Sequence, residues 1–195
     1  MLAAATPPPI PWPEPPLADE MVRLRPWLAA DAAALVAAWG DPAIRRWSPA
    51  PPPEWCTEEY AAKWIDGAER RRVEGVAIDL VISDPSPECD LEAVLGEVGL
   101  GPIDWEQGEA DIGWWVAPSA RGRGTATRSV RLLARWAETR LGLTVRATID
   151  PSNQASLRVA QRAGVRLVSP PALPPPATGG RRAARRGRRP PLPPT

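Results

Sequence analysis

The chain has no histidine and no phenylalanine, one tyrosine (Tyr60), one lysine (Lys63) and two cysteines among its 195 residues. Without histidine there is no Ser-His or Cys-His nucleophile pair. The commonest zinc ligand is gone too, so no metal is expected. Proton transfer must rest on carboxylates, waters, hydroxyls or amines. Cys56 and Cys89 stand 33 positions apart, which matches no metal or redox spacing, so free thiols are expected. No apolar run approaches the roughly 18 residues that span a bilayer. The N-terminus lacks a basic stretch followed by an apolar one. A cytoplasmic protein with no membrane association is therefore expected. With phenylalanine absent and ten tryptophans present, the aromatic share of the core must come from tryptophan.

The formal charge of +1 conceals two unlike parts. Positions 170–195 hold six arginines, nine prolines and no acid. That leaves 18 basic against 23 acidic side chains in the rest, a net −5. The body has no general basic footprint for nucleic acid. Residues 1–20 carry seven prolines and little periodicity, the composition of an extended, mobile leader. The expected organisation is a leader over 1–20, one domain over 21–169 and a disordered tail over 170–195. Three readings stay open for the tail: a segment for RNA or an acidic surface, a solvated extension, or the product of a shifted frame in a GC-rich gene.

Between these ends the pattern alternates in type. Val22–Arg25 reads as a strand ended by Pro26. Asp31 is placed to cap an alanine-rich helix stopped by Gly40. Pro49–Pro53 is a loop, and Thr57 caps a helix whose stripe is Tyr60, Trp64 and Ala68. Val76–Ile82, Val94–Ile103 and Ile112–Val116 read as strands joined by turns, an antiparallel meander. Leu143–Ile149 is a further strand, parallel to the Ile112 strand across a helical connection. A last helix starts at Asp150-Pro151-Ser152-Asn153. The expected order is β-α-α-β-β-β-α-β-α, an α+β domain with a mixed, mostly antiparallel sheet.

The richest stretch is Ala110–Leu141. Its strand leads to Arg121-Gly122-Arg123-Gly124-Thr125-Ala126 and then to a helix with Ala126, Val130, Leu133, Ala137 and Leu141 on one face. Amide N–H groups at such a turn lack acceptors, and the helix dipole is positive there. The turn is open to three readings. It can bind nothing. It can be a dinucleotide fingerprint, although Thr127 stands where a third glycine belongs. Or it can be an acyl-carrier loop.

The third reading comes from resemblance. Arg121–Ala126 fits Arg/Gln-x-x-Gly-x-Gly/Ala, and this resembles the pyrophosphate loop of the GNAT acyltransferases, which bind acetyl-CoA. Asn153-x-x-Ser156 with Arg162-Ala163-Gly164-Val165 is similar to that family's Asn-x-x-Ser…Gly-Phe segment, with Val165 where Phe is usual. Gly96–Leu100 and Ala110–Trp114 resemble the subgroup that acetylates protein N-termini, ribosomal-protein alanines among them. The resemblance spans roughly Met21 to Leu167. It implies that Arg121, Gly122, Arg123, Gly124, Thr125 and Ala126 hold pyrophosphate. It implies that backbone of Trp115 and Val116 holds pantetheine where the Ile112 and Leu143 strands splay beyond Val116, and that Asn153 bonds the same arm. The family continues past Val168 with one or two strands that the sequence does not show.

For the chemistry, an α-amine has a pKa near 7.7 to 8.0 and a lysine near 10.4. A weak base acting through water suffices for the first. Asp111 stands where lysine-acetylating relatives carry a Glu base; Glu97 on the neighbouring strand and Glu109 just outside are the other carboxylates. The thiolate-protonating Tyr of the family is missing, which leaves Ser156 or a water. The implied activity is acetyl transfer from acetyl-CoA, as co-substrate, to an amine acceptor by a monomer or homodimer. The contrasting expectation is a non-catalytic CoA-fold or Arg-tail binding protein.

Overall fold

The computed structural model describes residues 6–85 and 93–168. Cys89 and the Pro/Arg tail lie outside the described residues. Six strands form one sheet in sequential order: β1 (Arg23–Arg25), β2 (Ile78–Ser83), β3 (Gly96–Asp104), β4 (Glu109–Val116), β5 (Thr144–Thr148) and β6 (Arg166–Val168). β1 to β4 are antiparallel, and β4, β5 and β6 are mutually parallel. Five helices flank the sheet: α1 (Ala32–Gly40), α2 (Pro42–Trp47), α3 (Glu58–Val73), α4 (Thr125–Trp136) and α5 (Gln154–Ala163).

Strand alternation sorts the core into two layers. Ile78, Leu80, Ile82, Val98, Leu100, Ala110 and Ile112 pack with Val130 and Leu133 of α4 and Ala160 of α5. Val81 faces the other way, against Leu35 and Trp39 of α1 and Tyr60 and Ile65 of α3, with Trp115 and Trp64 at the margin. That second layer is the tryptophan cluster the composition requires. Trp27 meets Trp64 edge-on at 5.8 Å and Trp115 at 6.5 Å, and Trp39 meets Tyr60 at 5.8 Å. Such ring pairs add about 0.5–1.5 kcal/mol each beyond area burial.

Four expectations need correction. The leader is not free: Ile10 is fully buried in the first layer, and its N–H donates to Arg72 O at 3.0 Å. Proline fixes φ in advance, so a Pro-rich segment loses less entropy when a few apolar residues anchor it. The order does not end on a helix, because β6 pairs with β5 through Arg166↔Arg146 to Val168↔Thr148. β6 was not foreseen, and the strands expected to be missing past Val168 lie outside the described residues. Three residues are too few to show a period. An unforeseen helix, α2, starts where the Asp41 side chain accepts from Ile44 N–H at 2.8 Å and Pro42 fills the first turn, a standard start signal. Asp31 does not cap α1. It reaches back instead to Leu28 N–H at 2.8 Å and to Arg25 at 2.7 and 2.9 Å. Thr57 caps α3 as expected, accepting from Tyr60 N–H at 3.2 Å.

Candidate active site

β4 and β5 pair only from Glu109↔Thr144 to Asp111↔Arg146. Beyond that point β4 continues to Val116 and β5 to Thr148 without pairing. The splay therefore opens five residues earlier than expected, and it forms a wedge with Asp111 at its apex. The wedge faces the carboxyl ends of two parallel strands, each followed by a helix N-terminus. This is where open sheets place ligands.

The inner wall of the wedge is backbone. The Ala117 N–H donates to Leu95 O at 2.9 Å across to the β3 side. Antiparallel alternation then turns the peptide groups of Trp115 towards β3, and those of Trp114 and Val116 towards the opening. Of the two positions implied by resemblance, Val116 offers its backbone there and Trp115 does not. The Val116 carbonyl accepts from Arg121 Nε at 3.1 Å, in agreement with that geometry. The Trp115 side chain packs into the tryptophan layer instead.

At the mouth lies the glycine turn. Gly122 and Gly124 have φ of +77° and +83°, the left-handed region, which explains glycine at both. A Cβ on Gly122 would meet nothing within 4 Å. The turn is thus open at Gly122, with exposed backbone from Arg121 to Gly124. The first intrahelical bond of α4 runs from Arg128 N–H to Gly124 O. The N–H groups of Thr125, Ala126 and Thr127 therefore have no intrahelical acceptor. Thr125 is fixed from below, its hydroxyl donating to Ala120 O at 3.0 Å. Arg121 is paired with Asp41 at 2.8 Å, and Arg123 is exposed. On the far wall Asn153 caps α5, accepting from Ser156 N–H at 3.1 Å, and is buried. Ser156 is half-buried on the next turn. A strand ending in a wedge, a two-glycine anion cradle and a capping asparagine opposite is one constellation.

Residues 22–166 match the family described as acetyltransferase (GNAT) domain. The chain belongs to the GNAT acetyltransferase family. It is 26% identical over 146 residues to an uncharacterised N-acetyltransferase of Bacillus licheniformis, covering 73% of this chain and 78% of that protein. A ribosomal-protein-alanine acetyltransferase from Vibrio fischeri has the same fold, with a TM-score of 0.66 at 18% identity over 76% of this chain and 81% of that one. A ribosomal-protein alpha-N acetyltransferase solved with coenzyme A gives 0.63 at 24% identity over 76% and 81%. As a GNAT member the chain is an acyltransferase.

The GNAT carboxylates are placed unequally. Asp111 lies on the tryptophan-layer face at the wedge apex, and its Oδ1 accepts from Arg146 Nε at 3.0 Å. Its Oδ2 has no partner among the described residues. Arg146 also pairs with Glu109, which pairs with Arg166 at 2.7 Å, so the ladder ties three parallel strands together. The Asp111 hydrogen bond is the main cause that raises the Arg146 guanidinium above its ordinary pKa. Glu97 is buried, level with Trp115 in the β3–β4 register. Four residues of β4 separate that level from Asp111, about 13 Å. The two cannot serve one proton, and Asp111 is the one at the apex. Arg146 and Asp41 were not foreseen; the first is legible only as the residue next to the buried Val145 on β5. Among the described residues no group of His, Cys, Asp and Glu is placed to hold a metal, and no helix is long and apolar enough to cross a membrane.

The Arg121 hydrogen bond, then the Ile44 N–H, holds the Asp41 carboxyl below its usual pKa of 3.8. A carboxyl depressed in the folded state stabilises the fold above its unfolded pKa, and this contribution disappears as pH falls through the folded value. Asp41→Asn should therefore lose less stability than wild type between neutral pH and the acid range below 3.8. Denaturant melts at pH 7 and pH 3 check this; parallel curves would show that the pair contributes nothing.

Proposed function

We propose that the chain is an acetyl-CoA-dependent N-acetyltransferase acting on a primary amine, either a protein N-terminus or a small-molecule amine, in the cytoplasm and as a monomer or homodimer. The observation that carries this is the coincidence of the β4–β5 wedge with the Gly122–Gly124 cradle at its mouth. The cradle has room for an anion where side chains would otherwise project. Arg121, Gly122, Arg123, Gly124, Thr125 and Ala126 would hold the pyrophosphate, Val116 and Trp114 backbone the pantetheine, and Asn153 the same arm from across the wedge. Bound acetyl-CoA supplies the acyl group as a thioester.

Asp111 serves as the base. Its Oδ1 is held by Arg146, which fixes the carboxylate, and Oδ2 is left for a water or the amine itself. Ser156 and water are the groups available to return a proton to the leaving sulfur. The acceptor approaches over the tryptophan-layer face, where Asp111 and Glu97 project, so a cationic amine is favoured electrostatically. A protein α-amine is about a tenth neutral at pH 7, whereas a lysine is almost wholly charged. A fixed, ion-paired carboxylate suits the first.

Acetyl-CoA turnover, followed as released thiol on a panel of N-terminal peptides and polyamines, tests the proposal. CoA binding without turnover on any amine would favour a non-catalytic CoA-binding protein. Asp111→Asn should lower kcat about tenfold at pH 7, because only the fraction of amine already neutral then reacts. The deficit should shrink towards pH 9, with the Kd for CoA unchanged. An equal deficit at every pH would assign Asp111 to packing, and no deficit would move the role to Glu97.

A further inference from the structure

One arginine beside the glycine cradle has a role that the loop pattern does not contain. Arg128 sits one turn into α4, and its Nε stands 4.0 Å from where a Cβ on Gly124 would lie. Its Nη1 donates to Asp19 Oδ2 at 2.9 Å and to Glu20 Oε1 at 2.5 Å. Two carboxylates on one guanidinium leave a surplus negative charge next to a surface built from unpaired N–H groups. A guanidinium shared by two carboxylates can give up one of them to an incoming anion.

The two carboxylates are held differently. Asp19 is fixed in the turn that enters β1: its Oδ1 accepts from Met21 N–H at 2.8 Å and Val22 N–H at 3.0 Å, and its own N–H donates to Val22 O at 2.9 Å. The Glu20 side chain is 71% exposed, and Arg128 is the side chain that holds it. Exposed pairs of this kind hold weakly, because water screens the charges and two long side chains lose freedom. A phosphate offers the guanidinium two charged oxygens in one plane and displaces such a carboxylate readily.

We propose that Arg128 is a further ligand for the pyrophosphate of the acyl carrier, exchanging its pair with Glu20 for the phosphate and anchored throughout by Asp19. This rests on the CoA reading above. It gives the segment before β1 a part in cofactor binding: Glu20 competes with the incoming anion, and Asp19 keeps the guanidinium over the loop.

Calorimetric titration of CoA into the full chain tests it, with Glu20→Gln and Arg128→Ala measured alongside wild type. Removing the competitor should tighten binding about threefold. Removing the guanidinium should weaken it about tenfold and flatten the dependence of Kd on salt. Because the two variants break the same ion pair, a purely structural role would move them in the same direction or not at all; opposite signs support the exchange. Glu20→Gln alters an exposed side chain, so it stays informative even where Arg128→Ala fails to fold. Dephospho-CoA, which keeps the pyrophosphate and lacks the 3′-phosphate, should show the same two ratios. Ratios that collapse with it would overturn the pyrophosphate assignment. Wild type that binds CoA while both variants bind equally well would overturn this inference alone. Wild type that binds no CoA would overturn the functional reading beneath it.

Discussion

Gly124→Glu should raise the Kd for coenzyme A at least tenfold, roughly 1.4 kcal/mol, in a chain that still folds. Gly124 is the residue before α4 and has φ of +83°. An L-residue there costs about 1–2 kcal/mol of stability. Part of that is returned, because a carboxylate at a helix N-terminus interacts favourably with the dipole by roughly 0.3–1 kcal/mol. The same interaction damages binding: the glutamate oxygens would occupy the N–H groups of Thr125, Ala126 and Thr127 and repel the pyrophosphate. Binding should therefore suffer more than folding. Gly124→Ala separates the effects, since it carries the backbone strain without the charge. Calorimetry with a thermal melt on each variant provides the check. A folded Gly124→Glu that binds CoA like wild type would remove the loop from the site.

This loop was legible because its information is local. Glycines that need positive φ, the strand before them and the 3.6-residue apolar stripe after them all lie within Ala110–Leu141. Asn153 was legible for the same reason, as a cap beside its own helix. What the sequence hid is what depends on distant partners. The apex of the wedge is set by where β5 stops pairing with β4, and the Asp111–Arg146–Glu109–Arg166 ladder across three strands stands at that point. Asp111 could be named from its strand position, but its engagement with Arg146 could not. Arg128 lies off the apolar stripe of its helix, where the sequence marks no role for it; Asp19 and Glu20, over a hundred residues earlier, give it one. Alternation along β4 could have corrected Trp115, had the side of the first bond been known. Composition misled at residues 6–20, where prolines stood for disorder and the three apolar anchors Ile10, Trp12 and Leu17 went unweighed.

Those anchors carry the second large effect. Ile10 is completely buried within the first core layer. Its N–H donates to Arg72 O at 3.0 Å, and its carbonyl accepts from the Arg72 guanidinium, which lies 4.5 Å over the Trp12 ring. The segment thus grips the C-terminal end of α3, and Trp12 packs at the margin of the first core layer. Ile10→Ala removes a fully enclosed side chain and should cost about 2–5 kcal/mol, the range for large-to-small changes in a packed core. For a chain of this size each kcal/mol lowers Tm by roughly 2–4 °C, so a fall of about 4–20 °C is expected. Deleting residues 1–17 should be worse, because it uncovers Leu24 of the edge strand β1 and Leu80 of its neighbour β2 and removes the Leu17 carbonyl that accepts from Leu24 N–H, leaving an open sheet edge prone to pairing with another chain. Calorimetric melts of the full chain, Ile10→Ala and the truncated chain decide the matter. If the truncated chain melted with the full one, the contacts of Ile10 and Trp12 would be incidental, and the leader would be the free segment that its proline content implies.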